Sequence, residues 1–296
     1  MIATRRKAAH VPRRLMPVLL ALVAITTASL HLFAQTAPVA PQPSSLKFAV
    51  LGDMGTGEPA QYEVGRRLWA ARPAFPYDMV LLLGDNLYAR QEPRDFVRKF
   101  EKPYEPLIAA GVRFYAALGN HDKPSNVSYP LFNMAGERYY TFARDDVRFL
   151  VLDTNLLDPK QLAWADATLS SARESWRVAV FHHPIYSDGM RHGSNIELRV
   201  VLEPLFVRYN VSVAFTGHEH IYERIKPQKG ITYFIAGSGG QLRKGGLEPS
   251  ELMAKGFDQD QAFMLVEIAG NQLSFQTISR TGETVDAGVV PRRPGT

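Results

Sequence analysis

Leu46-Lys47-Phe48-Ala49-Val50-Leu51-Gly52-Asp53-Met54-Gly55 decides how this chain folds. A short apolar run stops at a glycine, which is the pattern of a buried strand, and a carboxylate follows at once. The same phrase returns further along. Met79–Leu83 ends in Gly84-Asp85-Asn86-Leu87-Tyr88, and Val112–Leu118 ends in Gly119-Asn120-His121-Asp122. Arg177–Phe181 runs into His182-His183-Pro184, and Val211–Phe215 leads to Gly217-His218-Glu219-His220. Asp53, Asp85, Asn120, His182 and His218 thus stand just past the ends of apolar strands. In α/β sheets the carboxyl ends of strands open onto a shared crevice where ligands bind.

Each block alone has a plain explanation. Asp after Gly is a common turn former or helix cap, and a His beside a Pro is often a satisfied core residue. His218 and His220 say more, because residues i and i+2 in an extended segment point the same way and both imidazoles can face one site. With oxygen donors first and histidines last, the five blocks together read as a two-metal hydrolase site.

Between these blocks, helical spacing covers Glu58–Arg72, Arg94–Phe100, Gln161–Arg173 and Ile196–Tyr209. Tyr139–Leu152 reads as two strands around a turn at Asp145-Asp146, and later strands fit Thr232–Ala236, Ala262–Ile268 and Gln272–Ile278. Strands alternating with helices, then strands in succession, imply layered sheets with helices outside and a single domain. That domain is expected over residues 46–285, with a loose tail over 286–296 that carries Pro291 and Pro294.

The chain has 296 residues, is 46% apolar and contains no cysteine, so its core must hold it without disulfides and any metal must be bound by oxygen and nitrogen. The net charge of +5 does not mark a nucleic-acid binder. Arg5, Arg6, Lys7, Arg13 and Arg14 account for all of it, which leaves 29 basic against 29 acidic residues in the remainder. Those cations precede an apolar stretch, Leu15–Phe33, in the order of a secretory signal over residues 1–34, with a cleavage site after Ala34. An uncleaved anchor is the alternative, since about 19 residues can just span a bilayer. Arg13-Arg14-Leu15 is a loose match to a twin-arginine export signal. Residues 35–45 form a Pro-rich tether. The expected destination is therefore the periplasm or the extracellular space, with no membrane contact unless the leader is retained.

The ordered set of motifs resembles the calcineurin-like metallophosphoesterases from about Phe48 to Gly240. Within them it is most similar to the purple acid phosphatases of the short, single-domain, mammalian type. The broad superfamily opens with Asp-x-His; here the third position is Gly55, and Tyr88 stands three residues after Asp85, where the purple enzymes place a tyrosine ligand. The resemblance implies an α/β fold, a layered α-β-β-α sandwich of two mixed sheets flanked by helices. It implies a first metal on Asp53, Asp85, Tyr88 and His220, with Asp85 bridging to a second on Asn120, His182 and His218. A phenolate is a hard donor that favours ferric iron, so the expected pair is ferric iron beside Tyr88 plus a divalent iron, zinc or manganese ion.

The activity implied is hydrolysis of phosphate monoesters by a hydroxide held between the metals, best at acid to neutral pH. His121 and His192 match histidines that contact phosphate or protonate the leaving group, Asp122 is placed to orient His121, and His183 is assigned to structure or rim. Met54 stands where the purple enzymes usually have Trp, which puts the substrate rim in question. The loop Ala236–Gly246 reads either as a mobile flap or as a plain connection. Asn126-Val127-Ser128 and Asn210-Val211-Ser212 are glycosylation sequons in a eukaryotic secretory route. The expected partner is a small phosphorylated substrate, with no nucleic acid. Two rival readings use the same residues, a phosphodiesterase or nucleotide hydrolase and a non-catalytic metal- or phosphate-binding protein.

Overall fold

The structure, a computed structural model, describes residues 45–294. The leader and residues 35–44 of the tether lie outside the described residues. In chain order the strands are β1 Leu46–Leu51, β2 Met79–Leu82, β3 Arg113–Ala116, β4 Tyr140–Arg144, β5 Val147–Val151, β6 Trp176–Val180 and β7 Val213–Thr216. They continue with β8 Tyr222–Gln228, β9 Ile231–Ala236, β10 Met253–Phe257, β11 Ala262–Ala269, β12 Gln272–Ser279 and β13 Thr284–Pro291. The helices are α1 Pro59–Ala71, α2 Pro93–Phe96, α3 Glu105–Ala109, α4 Pro159–Ser171 and α5 Ile196–Arg208.

One sheet has the order β13-β12-β11-β1-β2-β3 and the other β10-β8-β9-β7-β6-β5-β4. Both are mixed. Strands β1, β2 and β3 are parallel, and β11 joins β1 antiparallel. In the second sheet β5, β6, β7 and β9 are parallel, with β4 antiparallel to β5, β8 antiparallel to β9, and β10 antiparallel to β8 at the edge. Side-chain alternation along the strands sorts the core into layers. Phe48, Val50, Leu81, Phe149, Val178, Phe215 and Phe234 pack between the sheets. Phe48 meets Phe149 and Phe215 edge to face, at centroid distances of 5.6 and 6.1 Å. The intervening residues Ala49, Leu51, Val80 and Leu82 turn outward to Val64 and Leu68 of α1 and Leu107 of α3. Leu150 and Ala179 do the same against Leu169 of α4 and Phe206 of α5. Each large side chain removed from water contributes roughly 1.5–3 kcal/mol. The architecture is the expected α-β-β-α sandwich.

Two sequence expectations need correction. The tail does not begin at Asp286, because β13 runs to Pro291 and pairs with β12 along its length. Asp286 itself accepts hydrogen bonds from Tyr222 Oη (2.7 Å) and Arg224 Nε (2.8 Å), so the domain extends past residue 285. The helix expected over Arg94–Phe100 is a single α-turn, α2, followed by a wider i→i+5 turn over Val97–Glu101. One sequon is also closed: Asn126 is buried and its Nδ2 donates to Gln91 Oε1 at 2.9 Å.

Candidate metal centre

Three adjacent parallel strands of one sheet, β1, β2 and β3, end at Asp53, Asp85 and Asn120. Two adjacent parallel strands of the other, β6 and β7, end at His182 and at His218 with His220. The chain turns sharply there. Asp53, Asp85 and His218 adopt left-handed backbone, with φ of 55°, 51° and 72°, a conformation costing on the order of 1 kcal/mol or more for a non-glycine residue. Such strain persists only where surrounding bonds enforce it. Here Asp53 N donates to Gly84 O at 3.0 Å, and His218 N donates to Asp53 Oδ2 at 2.9 Å.

The donors gather into two groups. In the first, Tyr88 Oη lies 3.1 Å from both Asp53 Oδ1 and His220 Nε2, which are 3.5 Å from each other. In the second, Asn120 Oδ1 lies 3.0 Å from His182 Nε2 and 2.9 Å from His218 Nδ1, and the two imidazole nitrogens are 3.2 Å apart. Asp85 stands between them. Its ligating oxygen falls within 4.8 Å of those of Asp53 and His220, and its Oδ1 is 3.5 Å from His182 Nε2. His182 Nδ1 lies 2.8 Å from Leu83 O, which can only accept, so Nδ1 carries the proton and Nε2 presents a lone pair inward.

The electrostatics test whether cations suit this arrangement. Burial, then the Asp85 charge, pushes Asp53 well above the ordinary carboxylate range, and burial raises Asp85. Burial, then the Asp53 and Asp85 charges, raises the Tyr88 phenol. Burial and neighbouring imidazoles hold His218 down to about 2, and burial with the Arg243 charge holds His220 down to about 4. The His182 Nε2 lone pair faces Asn120 Oδ1, itself an acceptor, and Asp85 Oδ2 is buried without a hydrogen-bond partner among the described residues. Such a set is costly by itself and is stabilised by positive charge placed among it. The residues fit a pair of metal ions.

Around this centre the remaining candidates take distinct places. His121 is exposed beside the first group, its ring 4.8 Å from that of Tyr88, and its N donates to Asp85 Oδ1 at 2.8 Å. The His192 ring lies 4.1 Å from the His218 ring. His183 also comes close: its ligating atom is within 4.8 Å of those of His182 and His218, while its Nδ1 sits 2.9 Å from Thr154 Oγ1. It lines two clefts of about 480 and 570 Å³, the first shared with Asn120 and the second with His192 and His218.

Asp122 does not orient His121. Its carboxylate turns inward and accepts from Gly119 N (2.9 Å), Asn86 N (3.1 Å), Asn86 Nδ2 (2.8 Å) and Leu87 N (3.1 Å), bracing the Asp85 loop against the Asn120 loop. Its role is positional: one bond closes its own turn at Gly119 N, and three reach across to Asn86 and Leu87. Met54 is buried in the core and so is not part of the substrate rim. The loop Ala236–Gly246 is a packed connection and not a flap. Gly52 N, Gly239 N, Gln241 N and Arg243 N make backbone bonds that tie it to the first metal group, at 2.7–3.0 Å.

Sequence reasoning passed over Glu219, which lies between the two candidate ligand histidines, His218 and His220. It is fully buried, and its Oε1 accepts from His192 N and, at 2.8 Å, from Gly193 N, holding the His192 loop. An acid flanked by two site histidines at a strand end was the available signal.

Comparisons with known proteins agree with this geometry. The chain is 24% identical over 301 residues to tartrate-resistant acid phosphatase type 5 of Rattus norvegicus, covering 85% of this chain and 92% of that relative. Its fold superposes with a TM-score of 0.70 on purple acid phosphatase PPD1 from yellow lupin (Lupinus luteus) seeds, at 20% identity, covering 85% of this chain and 54% of the lupin chain. It superposes with a TM-score of 0.72 on GAP50, the anchor in the inner membrane complex of Plasmodium, at 19% identity, covering 84% of this chain and 90% of that one. Residues 46–222 match the model for calcineurin-like phosphoesterases. The chain belongs to the calcineurin-like phosphoesterase family, similar within it to the purple acid phosphatases, and is a metal-dependent phosphoric ester hydrolase.

Proposed function

We propose that the protein is an exported phosphatase acting on small phosphate monoesters at a mixed pair of metal ions, ferric at the Tyr88 site and divalent at the other. The observation that carries the reading is the convergence of seven donors into two groups with the buried Asp85 between them. Asp53, Asp85, Tyr88 and His220 would hold the first ion, and Asp85, Asn120, His182 and His218 the second. Two bound cations would clamp the phosphoryl group and make water acidic enough to attack phosphorus.

The protein's own groups do the rest. Glu219 holds the backbone of His192, which keeps that imidazole beside His218 and over the centre. His121 reaches the same opening from the Tyr88 side. From these positions either ring can donate a proton to the departing alkoxide. Asp122 fixes the spacing of the two ligand loops and touches no substrate. Preference for ferric iron follows from the phenolate, and preference for a divalent ion from the neutral Asn–His–His set. Export rests on the basic-then-apolar order of residues 5–33.

Side-by-side hydrolysis of 4-nitrophenyl phosphate and bis(4-nitrophenyl) phosphate tests the substrate class. The expected result is chelator-sensitive turnover with the monoester preferred. Faster diester cleavage would transfer the site to the diesterase reading.

A further inference from the structure

Among the described residues the Arg243 guanidinium, at the edge of the metal centre, is left without a hydrogen-bond or ion-pair partner. Several other half-buried arginines are engaged: Arg138 pairs with Asp153 and Asp158, Arg224 with Asp286, and Arg280 with Glu63 and Asp260. Among the described residues the Arg243 side chain makes no hydrogen bond or ion pair, and its Nε is buried without a partner. Leaving a guanidinium nitrogen dry and unpaired is costly unless something else supplies the acceptor.

Arg243 is also fixed in place. Its N donates to His220 O at 2.8 Å, which ties it to a ligand of the first group. Gly246 lies against its stem so closely that an added Cβ would fall 2.9 Å from Arg243 Cγ and 2.7 Å from Arg243 O. Gly246 O in turn accepts from Met190 N at 2.8 Å, which joins this loop to the one carrying His192. The Arg243 charge lies close enough to lower both His220 and His192, which flank the opening of the centre. Arg191 adds charge to the same opening, but from an exposed position without such a backbone anchor.

We propose that Arg243 is a phosphate-binding residue of this centre, contacting non-bridging oxygens of a monoester dianion and selecting it over a diester. The inference rests on the phosphatase reading above. A guanidinium matches two oxygens of one phosphoryl group in a forked pair. A monoester offers three free oxygens and nearly two negative charges near neutral pH. A diester offers two oxygens and one charge. Removing the guanidinium therefore weakens the monoester selectively.

The test uses the full metal-loaded chain with Arg243→Gln, which keeps much of the stem, and Arg243→Lys, which keeps the charge. The monoester kcat/KM of Arg243→Gln should fall on the order of 10- to 100-fold, the worth of a charged hydrogen bond. Its diester kcat/KM should change by less than about threefold, the loss expected of an unselective surface charge. Calorimetric affinity for inorganic phosphate should drop in parallel at unchanged metal content, with Arg243→Lys recovering part of both losses. Unaltered phosphate affinity, or equal losses on the two esters, would overturn the proposal. If the wild type cleaves neither ester, the phosphatase reading fails separately, and phosphate affinity still decides the role of Arg243.

Discussion

Asp85→Asn should cost on the order of 10²–10⁴ in kcat/KM for a phosphate monoester, the equivalent of about 3–5 kcal/mol for removing one partner of a buried charge pair. Asp85 is fully buried between the two donor groups, with Oδ1 holding His121 N and approaching His182, and Oδ2 making no hydrogen bond among the described residues and lying 4.0 Å from His121 Nε2. Asparagine keeps the volume and puts a neutral amide where the proposed bridging ligand is negative. Metal content should therefore fall together with activity. Metal-free protein should show the opposite trend, because Asp53 and Asp85 repel each other in a dry site. Without metal, Asp85→Asn is expected to be at least as stable to denaturant as the wild type. A stable, inactive variant separates lost chemistry from lost fold, and stability traded for function is common at active sites. Full activity with normal metal content in Asp85→Asn would remove Asp85 from its bridging place.

Gly84→Ala should damage the same centre without touching a donor atom. Gly84 has φ of +92°, and a Cβ there would fall 2.5 Å from His182 Nδ1 and 2.8 Å from Gly119 N. The added methyl strikes the nitrogen through which Leu83 O aims the His182 ring. It also pushes the Asp85 turn away from the Asn120 turn. Overpacking and a left-handed alanine together cost about 2–4 kcal/mol, measurable as a lower denaturation midpoint. Misplacing ligands by about 1 Å costs on the order of 100-fold in rate, so kcat/KM should fall at least that far. A variant with wild-type stability and rate would show that the two loops need no such close approach.

Much of this was legible in the sequence because strand ends announce themselves. Five apolar runs each stop at or just before a donor, and parallel pairing alone brings three such ends together in one sheet and two in the other. Tyr88 was legible because Gly55 stands where a histidine is usual. The strands β8, β10 and β13 were not legible, because they are edge or near-edge strands whose apolar residues are interrupted by polar residues, glycine or proline. Tyr222-Glu223-Arg224-Ile225-Lys226-Pro227-Gln228 carries no apolar run, and its pairing with β9 is irregular between Ile225 and Gln228. Glu223 in that segment is buried by accepting from Ser187 Oγ and Asp188 N, a tertiary contact that local pattern cannot reveal. The inward turn of Asp122 and the burial of Met54 are likewise decided by what the chain brings to them from elsewhere.

The central claim is that two cations in the cluster carry out ester hydrolysis, and a metal titration of the chelator-stripped protein tests it most directly. Monoesterase activity and visible absorption would be followed as iron and then a divalent ion are added. The account predicts no turnover in the stripped protein, a ferric–phenolate band from Tyr88 with the first equivalent, and full activity only with the second. Undiminished activity in the stripped protein, or an inert protein carrying both ions, would contradict it.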